Sequence, residues 1–167
     1  ADSVIPGFAG VFSPDGTQLA VGTEGAGVQL WNADTGQFGR TITSTDASLT
    51  SWAIAFSADG NYLAYGGDDT LAVANLATGE VRVVRSGHGD WVQAIAWSPD
   101  GALIATSSSD QVIRLWRNAD LHEIGKIETT GVLTSNINML AFNSSAEGLL
   151  LFPASGEQLM KKIQAAR

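Results

Sequence analysis

An all-β fold is what this sequence predicts, and three observations carry the prediction. Glycine is abundant, nineteen of 167 residues, while sustained helical periodicity is scarce, a combination that favours a turn-rich β protein. A short apolar run ending in a tight turn recurs: Val11-Phe12-Ser13-Pro14-Asp15-Gly16, Ala55-Phe56-Ser57-Ala58-Asp59-Gly60, Ala96-Trp97-Ser98-Pro99-Asp100-Gly101, and a longer version from Ala141-Phe142-Asn143 to Gly148. The glycines ending these turns lie 44, 41 and 47 residues apart, the period of a unit of about four strands. Finally, Gly87 to Trp116 reads by itself as three β-rich runs separated by turn residues.

The four units follow in order. Unit one, residues 7–44, has strands near 8–12, 18–22, 27–31 and 37–42, the last after Asp34-Thr35-Gly36. Unit two, residues 50–86, has them at 52–56, 62–65, 71–74 and 81–84, the last two joined across Ala77-Thr78-Gly79-Glu80. Unit three, residues 87–130, has them at 91–97, 102–107, 111–116 and 123–127. The repeated Asp-Gly suits a hairpin, because glycine accepts positive φ and aspartate bonds the turn backbone.

Unit four, residues 135–167, is the least regular, with strands at 137–142 and 149–152. Gly148 to Glu157 repeats the nine-residue offset of Gly101 to Asp110, so a third strand is expected at 159–163. In that register Ile163 stands where Trp116 does, and Lys162 falls on the face of Leu115. The rival is a helix: Ser155 and Gln158 are spaced as a capping box, and Leu159, Ile163 and Ala166 fall at helical spacing. The offset carried over from unit three favours the strand.

Gly87-His88 at the opening of unit three and Trp116 near its close make it resemble a blade of the WD-repeat β-propellers. The resemblance implies an all-β propeller of four-stranded antiparallel blades, about four in this chain, the last incomplete or irregular. It also implies a structural hydrogen-bond relay among His88, Thr106 or Ser108, Asp110 and Trp116. Net bonds of about 1 kcal/mol each, against about 1–3 kcal/mol for an unmatched buried member, make such a set act together. A His beside an Asp also suggests acid–base chemistry, but the blade context favours the structural role. Elsewhere the relay is broken. Unit one has Gly25 in the Asp place, no His, and Asn32 after Trp31 where the family prefers Asp. Unit two offers Asp68 and Asp69 but has Ala74 where Trp belongs.

Composition narrows the chemistry. With no cysteine there is neither a disulfide framework nor a thiolate, and two histidines, His88 and His122, make no convincing zinc site. A net charge of −8 repels phosphate backbones, so nucleic acid is not an expected ligand. No apolar run approaches the roughly 20 residues that a membrane-spanning helix needs. Asp15, Asp59 and Asp100 belong to the repeated turn, a folding signature rather than a catalytic one. That turn differs from the spaced Ser/Thr, Asp and Gly of glycosidase propellers, and the apolar inner strands supply no carboxylates for a metal-dependent hydrolase. Glycine-rich 22–27 leads into a strand, so a loose hairpin is favoured over phosphate binding. Neither catalytic residues nor a cofactor are expected.

The polar connector 43–50, with Asp46 in it and Trp52 just beyond, and the analogous Asp90-Trp91 lie at the rim before blades two and three. In the family this rim is the usual platform for partner peptides, so Asp46, Trp52, Asp90 and Trp91 are candidate partner contacts. The blander role, packing of Trp52 and Trp91 between blades, is favoured. The expected function is a non-catalytic platform or structural subunit in a larger protein complex. The alternatives are a supporting segment of an enzyme or sensor and a periplasmic ligand-binding propeller. The absence of an initiator methionine fits a processed precursor or an excised segment. Four blades leave three arrangements: a small ring closed by Asp2 to Ile5, a half ring that dimerises, or part of a longer propeller completed by other sequence or another chain. The last is favoured.

Overall fold

The computed structural model describes residues 9–25, 27–43, 51–130, 135–155 and 159–162, which form fifteen strands and no helix. Strands β1 (Ala9–Phe12), β2 (Gln18–Thr23), β3 (Gly27–Asn32) and β4 (Phe38–Ile42) pair in that order as the first sheet. The second contains β5 (Ala53–Phe56), β6 (Tyr62–Gly67), β7 (Thr70–Asn75) and β8 (Val81–Arg85). The third contains β9 (Val92–Trp97), β10 (Leu103–Ser108), β11 (Val112–Arg117) and β12 (His122–Glu128). The last has three strands among the described residues: β13 (Ile137–Phe142), β14 (Gly148–Pro153) and β15 (Leu159–Lys162). Every pairing is antiparallel.

The repeated turn shows why Ser-x-Asp-Gly recurs. Ser98 Oγ donates to Asp100 Oδ1 at 2.6 Å and accepts from Leu103 N at 2.8 Å, while Gly101 N donates to Ser98 O at 2.9 Å. Ser13 with Asp15, and Ser57 with Asp59, repeat the 2.6 Å bond. Gly101 sits at φ 70°, a left-handed conformation open to glycine without steric cost.

Apolar clusters fill the three junctions between consecutive sheets. Val28, Leu30 and Ile42 of the first sheet meet Leu63, Tyr65 and Ala74 of the second. Leu71 and Val73 then meet Trp97, Ile104 and Trp116, and Ile113 and Leu115 meet Leu140, Leu149 and Leu151. Full burial of one such side chain is worth about 1.5–3 kcal/mol, more than a single net hydrogen bond, so these junctions dominate stability. Close approach has a steric condition: a Cβ on Gly22 would stand 2.2 Å from the Ser51 carbonyl oxygen, where the lead into the second sheet crosses the first.

The fourth unit departs from expectation in register. Ala146, not Gly148, closes its turn: Ala146 N donates to Asn143 O at 3.1 Å, and Ala146 takes φ 59°. Asn143 replaces the turn serine, its Oδ1 accepting from Gly148 N at 3.0 Å. Gly148 therefore begins β14. A Cβ there would lie 3.1 Å from the Asn143 amide nitrogen, so glycine makes room for the longer capping side chain. The third strand shifts by two. Lys161, not Ile163, lies opposite Leu149, the place Trp116 takes opposite Ile104, and Lys162 lies opposite Gly148. Residues 159–162 are strand rather than helix, since they pair along β14. Ile163, Ala166 and the proposed closing segment Asp2 to Ile5 lie outside the described residues.

Candidate functional site

The third sheet brings four distant side chains into one line. Trp116 Nε1 donates to Thr106 Oγ1 at 3.0 Å, and Thr106 Oγ1 lies 2.9 Å from His88 Nε2. His88 Nδ1 lies 2.9 Å from Asp110 Oδ2. With a neutral ring carrying its proton on Nδ1, each member donates to the next and the series ends on a carboxylate, the one tautomer that satisfies every contact. Asp110 also accepts from Gly89 N at 3.1 Å and Val112 N at 2.9 Å. Ser108 stands outside the series; its Oγ accepts from Asp110 N at 3.3 Å.

Charge follows from this enclosure. Burial is the main cause that pushes the His88 pKa below its ordinary value, against the opposing pull of Asp110. Burial alone would raise Asp110, but the backbone N–H of Val112, the His88 ring and the N–H of Gly89 together hold it below the usual carboxylate range.

The relay ends next to the rim. The Gly89 N–H held by Asp110 is two residues before Trp91, which immediately precedes β9; Trp52 holds the same place before β5. The two indoles stack with centroids 5.2 Å apart and planes 8° from parallel, and Trp91 remains 51% exposed. Trp52 N donates to Gly66 O at 3.0 Å. The exposed Asp90 accepts from Trp91 N at 2.7 Å. Asp46 lies outside the described residues. Trp52 also borders a concavity of about 400 Å3 lined from β1, β5, β9 and β13, with Gly10, Gln93, Asn138 and Met139 on its wall. The four sheets thus turn their first strands toward one centre.

The other carboxylates singled out in sequence are engaged in turns. Asp15, Asp59 and Asp100 are held below the usual range, first by the hydroxyls of Ser13, Ser57 and Ser98, then by backbone N–H groups. Asp69 accepts from Ser86 Oγ at 2.9 Å. Where the relay is broken, its remnants are orphaned. Trp31 Nε1 and the Tyr65 hydroxyl, at the places of Trp116 and Thr106, are buried without a hydrogen-bond partner.

Sequence reasoning missed two cross-sheet stitches. Arg40 of β4 donates to Leu76 O at 2.5 Å in the second sheet. Arg82 of β8 donates to the carbonyls of Asn118 and Ala119 and to Asn118 Oδ1 in the third. An arginine recurring on consecutive fourth strands was the available signal, with the carbonyls of Leu76 and Asn118 each 36 residues downstream of their arginine. Among the described residues no group of three His, Asp or Glu is arranged to hold a metal ion, and no helix is long and apolar enough to cross a membrane.

The model of the WD domain, G-beta repeat, matches residues 36–73 and 79–117. Each match runs from the fourth strand of one sheet into the third strand of the next, so a sequence repeat bridges two sheets. Over 122 residues, 69% of this chain and 34% of the relative, the sequence is 31% identical to a WD repeat-containing protein of Synechocystis sp.. It is 32% identical to Echinoderm microtubule-associated protein-like 2 of Rattus norvegicus over 129 residues, 74% of this chain and 20% of the relative. With the chromatin assembly factor 1 subunit FAS2 homolog of Oryza sativa subsp. japonica the identity is 31% over 112 residues, 64% and 22% of the two chains. The chain thus spans about a fifth to a third of the length of these relatives. Radial sheets and staggered repeats have one common explanation, that the chain belongs to the WD-repeat family and its sheets are propeller blades.

Proposed function

We propose that this chain works as part of a protein-binding platform, without chemistry of its own, and that the Trp52–Trp91 stack with Asp90 is a contact point for a partner. The observation that carries this reading is the half-exposed Trp91 ring, stiffened from below by a second indole. A rigid aromatic surface supplies contact area at little cost in side-chain entropy, which is why tryptophan is enriched among the residues that dominate binding energy. The relay serves this role indirectly, by fixing the segment that ends in Trp91. Family membership supports a protein-interaction role in general, and one relative is named for a subunit of a chromatin assembly factor.

The test is affinity capture from an extract of the source cells, with the wild-type chain and Trp91→Ala compared quantitatively. The expected result is loss of a specific protein from the variant, whose melting temperature stays within a degree or two of wild type. Recovery of the same proteins by both would remove Trp91 from the binding surface.

A further inference from the structure

The segment 86–91 runs between two acidic turns. On one side Ser86 is tied to the turn between β6 and β7, its N and Oγ donating to Asp69 O and Oδ1, each at 2.9 Å. On the other, Gly89 N donates to Asp110 in the turn between β10 and β11. The arginines at hand are already engaged. Arg114 holds Glu123 and the Gly87 carbonyl, and Arg85 stands 3.9 Å from Asp69. Asp90 differs: it is exposed, and among the described residues it has no cationic partner. Its Oδ1 accepts from Trp91 N at 2.7 Å, which holds the carboxylate beside the backbone from which the Trp91 ring rises. Trp52 covers one face of that ring, yet Trp91 stays 51% exposed. The two tryptophans lead into the second and third sheets, each of which has a sheet packed on either side.

We propose that the partner segment bound here carries an arginine whose guanidinium lies on the open side of the Trp91 ring and pairs with the Asp90 carboxylate. The proposal rests on the reading of this stack as a contact point and adds the chemistry of what meets it. Of the aromatic side chains, tryptophan attracts a cation to its face most strongly. The unpaired carboxylate next to it selects which cation. A guanidinium is planar, so it can lie flat on an indole while its N–H groups, directed outward in its own plane, reach a carboxylate at the ring's edge. An ammonium is a compact and more strongly hydrated charge, and it loses more by leaving water for the ring. Asp69 and Asp110 flank the same segment, and the chain carries a net charge of −8, so a basic segment is drawn to this rim before any contact forms. A segment bearing a carboxylate is repelled, and an uncharged one leaves Asp90 without a counter-charge.

The probe is a capped tripeptide with arginine between two glycines, titrated into the 167-residue chain while NMR follows the indole N–H resonances of Trp52 and Trp91. The expected result is a saturable shift of both, with much weaker binding of the citrulline counterpart, which keeps the planar shape and loses the charge. Asp90→Asn should weaken binding of the arginine peptide about two- to fivefold, the size of one exposed charge pair. Trp91→Ala, read on the Trp52 resonance, should weaken it by about the same factor or more. Resonances elsewhere in the spectrum that keep their positions show that both variants fold. Equal affinity for the citrulline peptide would show that charge plays no part, and equal affinity for a lysine peptide that the planar stack plays none; either overturns the proposal. Binding that survives both substitutions unchanged overturns it as well. An arginine peptide that shifts neither indole does the same, and affinity capture then shows which claim has failed. If Trp91→Ala still loses a specific protein, the contact point stands and the arginine alone is refuted.

Discussion

His88 and Asp110, 22 residues apart in sequence, meet at 2.9 Å, and through that contact the segment leading into Trp91 is tied to the turn between β10 and β11. The tie continues through Thr106 to Trp116, so four side chains on three separate stretches of chain share one set of protons. Removing any member strands its neighbours. His88→Ala and Asp110→Ala should each destabilise the fold by about 1–3 kcal/mol, the penalty of an unmatched buried polar group. For a chain of this size that is roughly 2–4 °C of melting temperature per kcal/mol. In a double-mutant cycle His88→Ala with Thr106→Val should couple by about 0.5–3 kcal/mol. Strict additivity, or variants as stable as wild type, would show that the contacts carry no shared energy.

Acid should dismantle this fold in two steps. His88 is pushed below its ordinary 6.5, so the unfolded chain takes up a proton first as pH falls. Its contribution is therefore whole above about pH 6.5 and declines below it until the ring of the folded state itself titrates. Asp15, Asp59, Asp100 and Asp110 are also depressed. Their contribution is whole above the unfolded carboxylate value of about 3.9 and is lost as pH drops through the lower folded values. Melting temperature followed from pH 8 to pH 3 should first bend near 6.5 and bend again below 4. His88→Gln should erase the first bend and keep the second. A first bend that survives in the variant belongs to some other group.

Much of this architecture can be read directly in the sequence, because a turn that recurs with the same chemistry reports the same local structure each time. Ser98, Asp100 and Gly101 need only one another and the adjacent backbone, and Ser13 and Ser57 open the same motif. The relay residues of the third sheet are legible only through the resemblance of Gly87 to Trp116 to a WD-repeat blade, which leaves Thr106 and Ser108 as alternatives. The fourth unit fails the same reading because its turn changes chemistry. Asn143 takes the serine role, and an alanine takes the left-handed place, so the nearest glycine is a false marker two residues away. The arginine stitches join residues in different sheets, and a pattern within one repeat carries no signal of them, whereas Trp52 and Trp91 were legible as tryptophans at analogous rim places.

The false marker has a measurable consequence. Ala146 at φ 59° occupies a conformation that costs a non-glycine residue about 1–2 kcal/mol. Ala146→Gly should therefore raise the melting temperature, by an amount tempered by the greater chain entropy of glycine in the unfolded state. Gly101→Ala, at φ 70° in the equivalent turn, should lower it. Chemical denaturation of the pair measures both. Equal signs for the two substitutions would mean that the turns are not equivalent.

Tyr65 offers the converse experiment, in which a hydroxyl is removed and stability gained. It occupies the place that Thr106 takes in the third sheet, but its would-be partner is Ala74, and its hydroxyl is buried without a hydrogen bond. Burial also pushes its pKa up to about 12, the mark of a phenol shielded from water. The ring itself packs in the junction between the first two sheets and should be kept. Tyr65→Phe keeps the ring and deletes the orphan, so it should stabilise the fold by up to about 1 kcal/mol, part of the penalty for an unsatisfied buried group. Tyr65→Ala would instead open a cavity and cost about 3–5 kcal/mol by analogy with other large aromatic truncations. Urea midpoints of the two variants separate these terms, because the first change removes polarity and the second removes volume. A destabilised Tyr65→Phe would mean that the hydroxyl has a partner, with bound water the first place to look.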